Sequence, residues 1–249
     1  MRLLLVNDDG IKAEGLYVLA KELEKDYELT IIAPDNQKSA QSHAITLTQP
    51  LRVREVKLDG LRSKAYSVSG TPADCVRLGL EVLAGDKVDM IISGINIGLN
   101  VGMDILYSGT VSAAIEANIY QLPSIAISAE EIAGRAKFEI AARSVKEILE
   151  KSLEQIKESG IVLNINVPYR ESEEIKGIKT CKIGGPIYDY YIMEDGENGE
   201  NIIKLNGRKD GQREDGTDRH YIREGYITVT PLHYDLTNFQ LLNEIKAWI

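Results

Sequence analysis

Short apolar segments alternate with amphipathic segments over the first two-thirds of the chain. Continuous apolar or β-branched runs, typical of strands buried on both faces, occupy residues 3–6, 29–33, 90–93, 125–128 and 162–167. Apolar side chains recur at helical spacing between these runs, at Leu16, Leu19, Ala20 and Leu23, and again at Val76, Leu80 and Leu83. A further helix is predicted over about 136–157. Strands that alternate with helices predict crossover connections and an α/β fold, with a mostly parallel, Rossmann-like sheet flanked by helices.

The pattern changes in the last third of the chain. Residues 184–218 are rich in glycine and charge and contain the aromatic patch Tyr188, Tyr190 and Tyr191, which favours hairpins and loops over core strands. Residues 226–230 alternate as a strand does. Thr237-Asn238-Phe239-Gln240 predicts a capping box that opens a terminal helix. We therefore divide the chain into an α/β core, 1–180, and a C-terminal extension of hairpins and a terminal helix, 181–249.

Length and composition are those of an ordinary globular protein. A chain of 249 residues with 43% hydrophobic residues fits one large α/β domain, or a domain with an appendage. No apolar stretch approaches the roughly 20 residues of a membrane helix, and Asn7-Asp8-Asp9 interrupts the apolar N-terminus before a signal peptide is complete. We therefore expect a cytoplasmic protein with no membrane partner. Cys75 and Cys181 form no C-x-x-C pair, so neither a disulfide scaffold nor a thiolate metal site is expected.

The charge of the chain limits its partners. The formal net charge is -9, and basic residues form no long tract. This argues against binding to long nucleic acid, which depends on neutralising many phosphates. An acidic protein that handles phosphate needs a local source of positive potential, and a bound metal ion supplies one.

The sharpest polar feature is Asn7-Asp8-Asp9-Gly10, directly after the first predicted strand. In open parallel sheets, ligands bind in the crevice at the carboxyl ends of the strands. Adjacent carboxylates repel each other, and a divalent cation relieves that repulsion. The alternative is an Asx turn that caps the next helix, because Asn and Asp favour turns.

Other polar loops also follow the predicted strands. Residues 34–43 include Ser39 and His43, and residues 94–102 include Asn96 among glycines that allow backbone N–H groups to approach a ligand. Ser108-Gly109-Thr110 then opens a helix of small residues, which suits an anion at a helix N-terminus. Each loop alone is more often only a turn. Because a sheet brings its strand ends together, the set of loops predicts a shared site.

Several well-known catalytic motifs are absent from the sequence. It contains no P-loop, no G-x-G-x-x-G after a strand, no H-E-x-x-H and no G-x-S-x-G. Asp8-Asp9-Gly10 also lacks D-x-D spacing, so a covalent phosphoaspartate route is not indicated. His43 lies in a candidate loop, with site and surface roles equally open, whereas His220 and His233 are expected to be structural or interface residues.

Taken in chain order, these motifs resemble the SurE (survival protein E) nucleotidases. The resemblance covers nearly the whole chain, and several distinct motifs in the right order are far more specific than any one of them. The motifs that carry it are Val6-Asn7-Asp8-Asp9-Gly10, Ala33-Pro34-Asp35 leading to Ser39, Gly70-Thr71-Pro72-Ala73-Asp74-Cys75-Val76, Ser93-Gly94-Ile95-Asn96, Tyr107-Ser108-Gly109-Thr110-Val111, Asn164-Ile165-Asn166-Val167-Pro168, Gly216-Thr217-Asp218 and Thr230-Pro231-Leu232-His233. The sequence departs from many members at His43 and in the composition of 186–215.

The resemblance implies an α/β core whose C-terminal portion exchanges between subunits of a homodimer or homotetramer. It implies phosphatase activity on nucleoside 5′- and 3′-monophosphates, and in some members on short polyphosphate. It also implies one divalent cation per subunit, Mg²⁺ or Mn²⁺, with oxygen ligands. By motif position, the metal ligands are Asp8, Asp9, Ser39 and Asn96. The residues around the phosphate and substrate are Asn7, Gly10, Ser39, His43, Gly94, Asn96, Ser108, Gly109 and Thr110.

The resulting hypothesis is metal-assisted hydrolysis of a phosphate monoester, with Asp8 and Asp9 as catalytic residues. A bound cation would polarise the phosphorus and acidify a water for in-line attack. One aspartate, Asp9 in the favoured assignment, takes the water proton or protonates the leaving ribose oxygen. The contrasting hypothesis is a non-enzymatic regulatory protein that binds nucleotide or phosphate in the same crevice. A third interpretation, a protein built around an oligomerisation arm, leaves the paired aspartates unexplained.

Overall fold

The computed structural model describes residues 1–85, 87–209 and 214–248 of the chain. Within these ranges, nine strands form one sheet and two strands form a separate hairpin. The strands are β1 (Arg2–Val6), β2 (Glu28–Pro34), β3 (Val53–Val56), β4 (Lys64–Val68), β5 (Met90–Ile97), β6 (Ser124–Ala129), β7 (Val162–Val167), β8 (Ile178–Thr180), β9 (Asp189–Asp195), β10 (Asn201–Arg208) and β11 (Ile227–Leu232). The helices are α1 (Glu14–Leu23), α2 (Pro72–Leu78), α3 (Gly109–Ile119), α4 (Phe138–Ser159), α5 (Asp218–Glu224) and α6 (Leu242–Lys246).

The predicted mostly parallel sheet is confirmed, and its strand order is β3-β4-β2-β1-β5-β6-β7-β11-β8. The six strands from β4 to β7 in that order pair in parallel. Strand β3 runs antiparallel to β4, and β11 runs antiparallel to β7. The chain first adds strands on one side of β1 and then crosses to β5 on its other side. This reversal opens a crevice at the carboxyl ends of β1 and β5.

The two faces of the sheet are covered by different helices, as the flanked-sheet prediction requires. Leu3 and Leu5 of β1 pack with α1 and α4, whereas Leu4 and Val6 pack with α2 and α3. The alternation follows from the two-residue period of a strand. In α1 the apolar residues at helical spacing are all buried, so hydrophobic burial on both sides holds β1 at the centre of the molecule.

Helix α2 begins with a capping box. The Thr71 hydroxyl accepts the Asp74 N–H (3.1 Å), and the Asp74 carboxylate accepts the Thr71 N–H (2.9 Å). Pro72 occupies the first turn, where its missing N–H is no disadvantage. A π-helical turn, Gly79–Leu83, continues α2, and a 3₁₀ turn, Gly102–Leu106, precedes α3.

The C-terminal portion is divided between the main sheet and the hairpin. Strand β11 pairs with β7, and β8 pairs in parallel with β11, so both extend the sheet. Strands β9 and β10 pair with each other, which confirms a hairpin within residues 184–218. Residues 210–213 of that stretch, and residue 249, lie outside the described residues. A boundary near residue 180 stays a prediction, since β11 from the C-terminal portion belongs to the core sheet.

The terminal helix is shorter than predicted, and its predicted capping box is wrong. Helix α6 begins at Leu242, and no side chain caps its first turn. The Thr237 N–H instead donates to Asp235 Oδ1 (2.8 Å), and the Leu241 N–H donates to Asn238 Oδ1 (3.3 Å). These short polar side chains close turns, because their reach matches the nearby backbone N–H groups.

The two cysteines lie apart, Cys75 on α2 and Cys181 just after β8. Cys75 and Cys181 are buried free thiols. Among the described residues, every helix is too short or too polar to cross a bilayer.

Candidate active site

A tight turn ends β1 at the edge of the crevice. The Asn7 side chain is fully buried, and its Nδ2 donates to the Gly10 carbonyl (2.9 Å) while its Oδ1 accepts the Gly10 N–H (3.1 Å). Both polar ends of Asn7 therefore close the turn, in the manner of an Asx turn. Asn7 and Gly10 therefore shape the turn that carries Asp8 and Asp9. Substrate binding by Asn7 and Gly10 stays a prediction.

Asp8 joins the end of β1 to the start of α3. The residue is only 4% exposed, and its Oδ1 accepts a hydrogen bond from the Thr110 hydroxyl (2.5 Å). Burial raises the pKa of the Asp8 carboxyl to about 6, against the opposing effect of the Thr110 hydrogen bond, and the charge of Asp9 adds to the rise. A negative charge at this position needs nearby positive potential to be stable.

Asp9 joins the same turn to the end of β5. Its Oδ2 accepts the Ile97 N–H (3.0 Å), and its Oδ1 accepts a hydrogen bond from Gln37 Nε2 (3.2 Å). Burial raises the pKa of the Asp9 carboxyl, and the hydrogen bonds from Ile97 and Gln37 oppose the rise. Asp9 is less buried than Asp8, so it is the carboxylate with better access to solvent.

The other two predicted ligands lie on segments that contact these aspartates. The Lys38 N–H donates to the Asp8 carbonyl oxygen (2.7 Å), which holds exposed Ser39 beside the turn. Asn96 donates its Nδ2 to the Gly98 carbonyl (2.7 Å), and its neighbour Ile97 binds Asp9. In the described part of the chain, neither Ser39 Oγ nor Asn96 Oδ1 takes part in a hydrogen bond.

The N-terminus of α3 closes the other side of the crevice. Ser108 caps the helix, because its Oγ accepts the Val111 N–H (3.1 Å). A Cβ added at Gly109 would lie 2.8 Å from Asp8 Cβ and 3.1 Å from Pro72 Cγ, so only glycine allows this approach. The first N–H groups of a helix have no acceptor within it, and the helix dipole makes that end positive. The backbone of Gly109 and Thr110 therefore suits a bound phosphate.

Gly94 has a packing role that its sequence pattern does not indicate. Its φ of +135° lies outside the range of ordinary side chains, and an added Cβ would lie 2.3 Å from the Ile127 carbonyl oxygen. Glycine thus allows β5 and β6 to approach closely next to Asn96. A contact between Gly94 and phosphate stays a prediction.

Among the described residues, His43 contacts the Glu116 carboxylate and neither of the two aspartates. Its Nε2 is 2.6 Å from Glu116 Oε2, and Arg77 Nε donates to Glu116 Oε1 (2.6 Å). Glu116 is six residues beyond Thr110 on α3, or about 9 Å along the helix axis. The structure therefore does not bring the His43 Nε2 to the Asp8 carboxylate, and direct substrate binding by His43 stays a prediction.

The donor chemistry of the crevice fits a hard divalent cation. Within the described ranges, no group of three or more His, Cys, Asp or Glu side chains is arranged to hold a metal ion, which argues against an imidazole or thiolate centre among them. The available donors are the carboxylates of Asp8 and Asp9, the exposed Ser39 hydroxyl and the Asn96 amide oxygen, all of which suit Mg²⁺ or Mn²⁺. The raised pKa of the Asp8 carboxyl beside Asp9 indicates a charge that a cation would offset.

Two residues that hold neighbouring segments in place were not identified as functional from the sequence. Gln37 holds the Asp9 carboxylate, and it was unremarkable within a polar loop. Glu116 is the charged residue of α3, whose other side chains are small, apolar or neutral. A lone carboxylate in such a helix is a signal that buried partners must exist, because an unpaired buried charge is costly.

Comparison with known proteins gives consistent matches over most or all of the chain. The family model described as "Survival protein SurE" matches residues 3–189. The 5′-nucleotidase SurE of Clostridium botulinum (strain 657 / Type Ba4) is 50% identical over 248 residues, 99% of this chain and 98% of that protein. The 5′-nucleotidase SurE of Clostridium tetani is 48% identical over 248 residues, 100% of both. The crystal structure of the Sure protein from Aquifex aeolicus is similar with a TM-score of 0.88 and 38% identity, covering 100% of this chain and 99% of that one.

Proposed function

The chain belongs to the SurE family, and from this premise we propose that its crevice between β1 and β5 hydrolyses nucleoside 5′-monophosphates to nucleoside and phosphate. The protein is a phosphomonoesterase. The observation that carries the assignment to this crevice is the buried Asp8 carboxylate, hydrogen-bonded to Thr110 in the first turn of α3. That contact joins an acidic edge suited to a cation to a helix end suited to an anion, a combination that favours phosphate ester hydrolysis.

The proposed cofactor is one Mg²⁺ or Mn²⁺ ion per subunit. Asp8, Asp9, Ser39 and Asn96 would hold it, because they supply oxygen donors from three neighbouring segments. When bound, the ion supplies positive charge that polarises the phosphate and lowers the pKa of a bound water. Asn7 and Gln37 contribute indirectly, since one fixes the turn and the other orients the Asp9 carboxylate.

The phosphoryl group would lie against the start of α3. Backbone N–H groups of Gly109 and Thr110 would donate to its oxygens and stabilise the charge that develops there. The water oxygen forms the new bond to phosphorus while the bond from phosphorus to the ribose oxygen breaks. Asp9, the more accessible carboxylate, would accept the water proton or return one to the leaving oxygen.

The proposal extends to three finer properties. Nucleoside 3′-monophosphates and short polyphosphate are proposed as further substrates, because they present the same terminal phosphate to the crevice. A homodimer or homotetramer is proposed through the C-terminal portion.

The second candidate function is a regulatory protein that binds nucleotide without turnover, and the open crevice at the carboxyl ends of the strands supports either function.

Phosphate release decides between the two functions. Purified protein is assayed with Mn²⁺ on nucleoside 5′- and 3′-monophosphates, polyphosphate and p-nitrophenyl phosphate, with EDTA as the metal-free control. We expect Asp8→Asn to lower kcat/KM by about 10³-fold or more, because it removes charge from the reacting centre, while the melting temperature stays near that of the wild type. The matched control is Asp59→Asn, the same exchange at an exposed position between β3 and β4.

Each outcome of this assay supports a different conclusion about the site, the function or the metal dependence. Turnover by the Asp8→Asn variant at the wild-type rate would contradict the site assignment. Nucleotide binding without phosphate release from any substrate would favour the regulatory protein. Full activity in EDTA would contradict the proposed metal dependence and leave the hydrolase assignment intact.

A further inference from the structure

Residues 35–52, the Ser39 segment, connect β2 to β3 without a helix or a strand. Irregular connections of this length in compact domains are usually functional. The segment has no ladder of backbone hydrogen bonds of its own, so contacts with neighbouring elements must fix its path. That path decides where Ser39 stands relative to Asp8.

The backbone just after Ser39 adopts an unfavourable conformation. Ala40 and Ser42 have φ values of 56° and 54°, in the left-handed region that residues with a Cβ avoid. Such residues persist when the surrounding structure holds them. Ser42 supplies part of that hold, because its N–H donates to the Tyr107 carbonyl (3.0 Å) and its Oγ to the Leu106 carbonyl (2.6 Å).

The next residue, His43, ties the segment to a buried charge. Glu116 is 1% exposed, and its two carboxylate oxygens contact His43 Nε2 and Arg77 Nε, each at 2.6 Å. A buried carboxylate that loses a partner is strongly destabilised. Of these two partners, only His43 belongs to the segment that carries Ser39, whereas Arg77 belongs to α2.

A more distant attachment of the segment to a carboxylate lies at Thr46. Its N–H and hydroxyl donate to the Asp74 carboxylate (3.0 and 2.7 Å). Thr46 is seven residues beyond Ser39, while His43 is four residues beyond it. On the N-terminal side of Ser39, Gln37 donates to the Asp9 carboxylate and the Lys38 N–H donates to the Asp8 carbonyl. Hydrogen bonds to a carboxylate are stronger than those between neutral groups, so the bond between His43 and Glu116 is the nearest strong attachment on the C-terminal side of Ser39.

We propose that His43 is a positioning residue for the active site, which holds Ser39 beside Asp8 through its hydrogen bond to Glu116. This inference rests on the proposed function, in which Ser39 is a metal ligand. His43 itself touches neither the cation nor the phosphate in this scheme. Its removal therefore loosens the segment just beyond Ser39 and lowers metal affinity without removing any ligand.

A matched pair of variants tests the proposal. His43→Ala and Arg77→Ala each remove one partner of Glu116, but only the first releases the Ser39 segment. We expect His43→Ala to weaken Mn²⁺ binding, measured by calorimetry, by roughly ten-fold, the usual effect of losing a residue that orients a metal ligand. Amide hydrogen exchange over residues 38–43 should rise in the same variant. Arg77→Ala should lower the melting temperature and leave both quantities at wild-type values.

A conservative variant separates positioning from general destabilisation. His43→Gln keeps an N–H donor near the position of Nε2, so we expect it to restore most of the Mn²⁺ affinity and the slow exchange. Equal loss of Mn²⁺ affinity in His43→Ala and Arg77→Ala, or no change in His43→Ala, would overturn the proposal. A wild-type protein that binds no Mn²⁺ would overturn the proposed metal site instead, and the exchange data would then decide whether His43 holds the segment.

Discussion

Gly109 is both the first residue of α3 and a close neighbour of Asp8. The first position of a helix normally accepts alanine better than glycine, because alanine loses less backbone entropy. Here an added Cβ would lie 2.8 Å from Asp8 Cβ and 3.0 Å from Asp8 Oδ2. Since β1 is fixed at the centre of the sheet, the carboxylate of Asp8 must move or α3 must shift.

Gly109→Ala should therefore damage the site more than the fold. We expect kcat/KM for a nucleoside monophosphate to fall by about 10²-fold, since a small misplacement of a reacting group has effects of that size. The loss of unfolding free energy should stay within about 1–3 kcal/mol, the range for overpacking. Phosphate release and chemical denaturation measure the two effects.

Gly185→Ala is the control, because its nearest neighbour would be 4.0 Å from the added Cβ. That variant should match the wild type in both measurements. A Gly109→Ala protein with wild-type activity would show that Asp8 does not need its present position.

The site residues were predictable from sequence to the extent that chain position determines them. Asp8 and Asp9 follow the end of β1, and Asn96, which was predicted in a loop, lies at the carboxyl end of β5. Parallel strands gather their carboxyl ends at one edge of the sheet. The uses of individual side chains were less predictable. The Ser108 hydroxyl caps α3 and the Asn7 amide closes a turn, because local backbone groups compete with any ligand for short polar side chains.

At the scale of elements, Glu116 connects α3 to α2 and to the Ser39 segment. Burial alone would raise the pKa of the Glu116 carboxyl, but hydrogen bonds from His43 and Arg77 outweigh it and hold that pKa below its ordinary value of 4.5. A carboxyl with a lowered pKa stabilises the folded state above the unfolded pKa. That stabilisation disappears as the pH falls through the folded pKa.

The pH dependence of stability should reveal this connection. We expect Glu116→Gln to lower the unfolding free energy at pH 7 by about 1–3 kcal/mol, the cost of leaving buried hydrogen-bonding groups poorly paired. The difference between wild type and variant should shrink as the pH falls below 4.5, the ordinary pKa of the group. Denaturant titrations at pH 7, 5, 4 and 3 measure it.

Glu81→Gln, the same exchange at an exposed position of the π-helical turn, serves as the control and should show no such trend. A constant difference between wild type and Glu116→Gln across the pH range would contradict the assigned role of the carboxylate.

Elements with strong internal patterns were predicted, and elements that depend on distant partners were not. Strands β1, β2, β5, β6 and β7 are largely buried and carry continuous apolar or β-branched runs, because helices cover both of their faces. Strand β3 was not predicted, since it is a largely exposed edge strand with Arg54 and Glu55 at its centre. The capping box at Thr237 failed for a related reason, because the terminal segment is exposed and packing does not fix where its helix begins.

At the scale of the whole molecule, the hairpin of β9 and β10 presents an apolar face. Tyr191 lies opposite Leu205 and Met193 lies opposite Ile203, and all four side chains are largely exposed. An isolated two-stranded hairpin is at best marginally stable in water. Contiguous exposed apolar surface of this kind marks an association site, which supports the proposed homo-oligomer.

A charge on the apolar face should dissociate the oligomer. We expect Ile203→Lys to lower the mass measured by sedimentation equilibrium, because a charged side chain is not tolerated in an apolar contact. Ile202→Lys is the matched control, since its side chain points to the other face, opposite Glu194. A wild-type protein that sediments as a monomer, or equal effects of the two substitutions, would contradict an interface on this face.

The place of β11 in the sheet has a consequence for how the chain folds during synthesis. Strand β7 ends at Val167, and its neighbour β11 begins only at Ile227. The ribosome therefore releases β7 well before β11, the strand that pairs with its edge. Strand β8 also lacks its partner until then, because it pairs with β11. An uncovered apolar strand edge readily recruits other strands. The nascent chain is thus most prone to aggregate late in translation, after its catalytic crevice has emerged but before its sheet is complete.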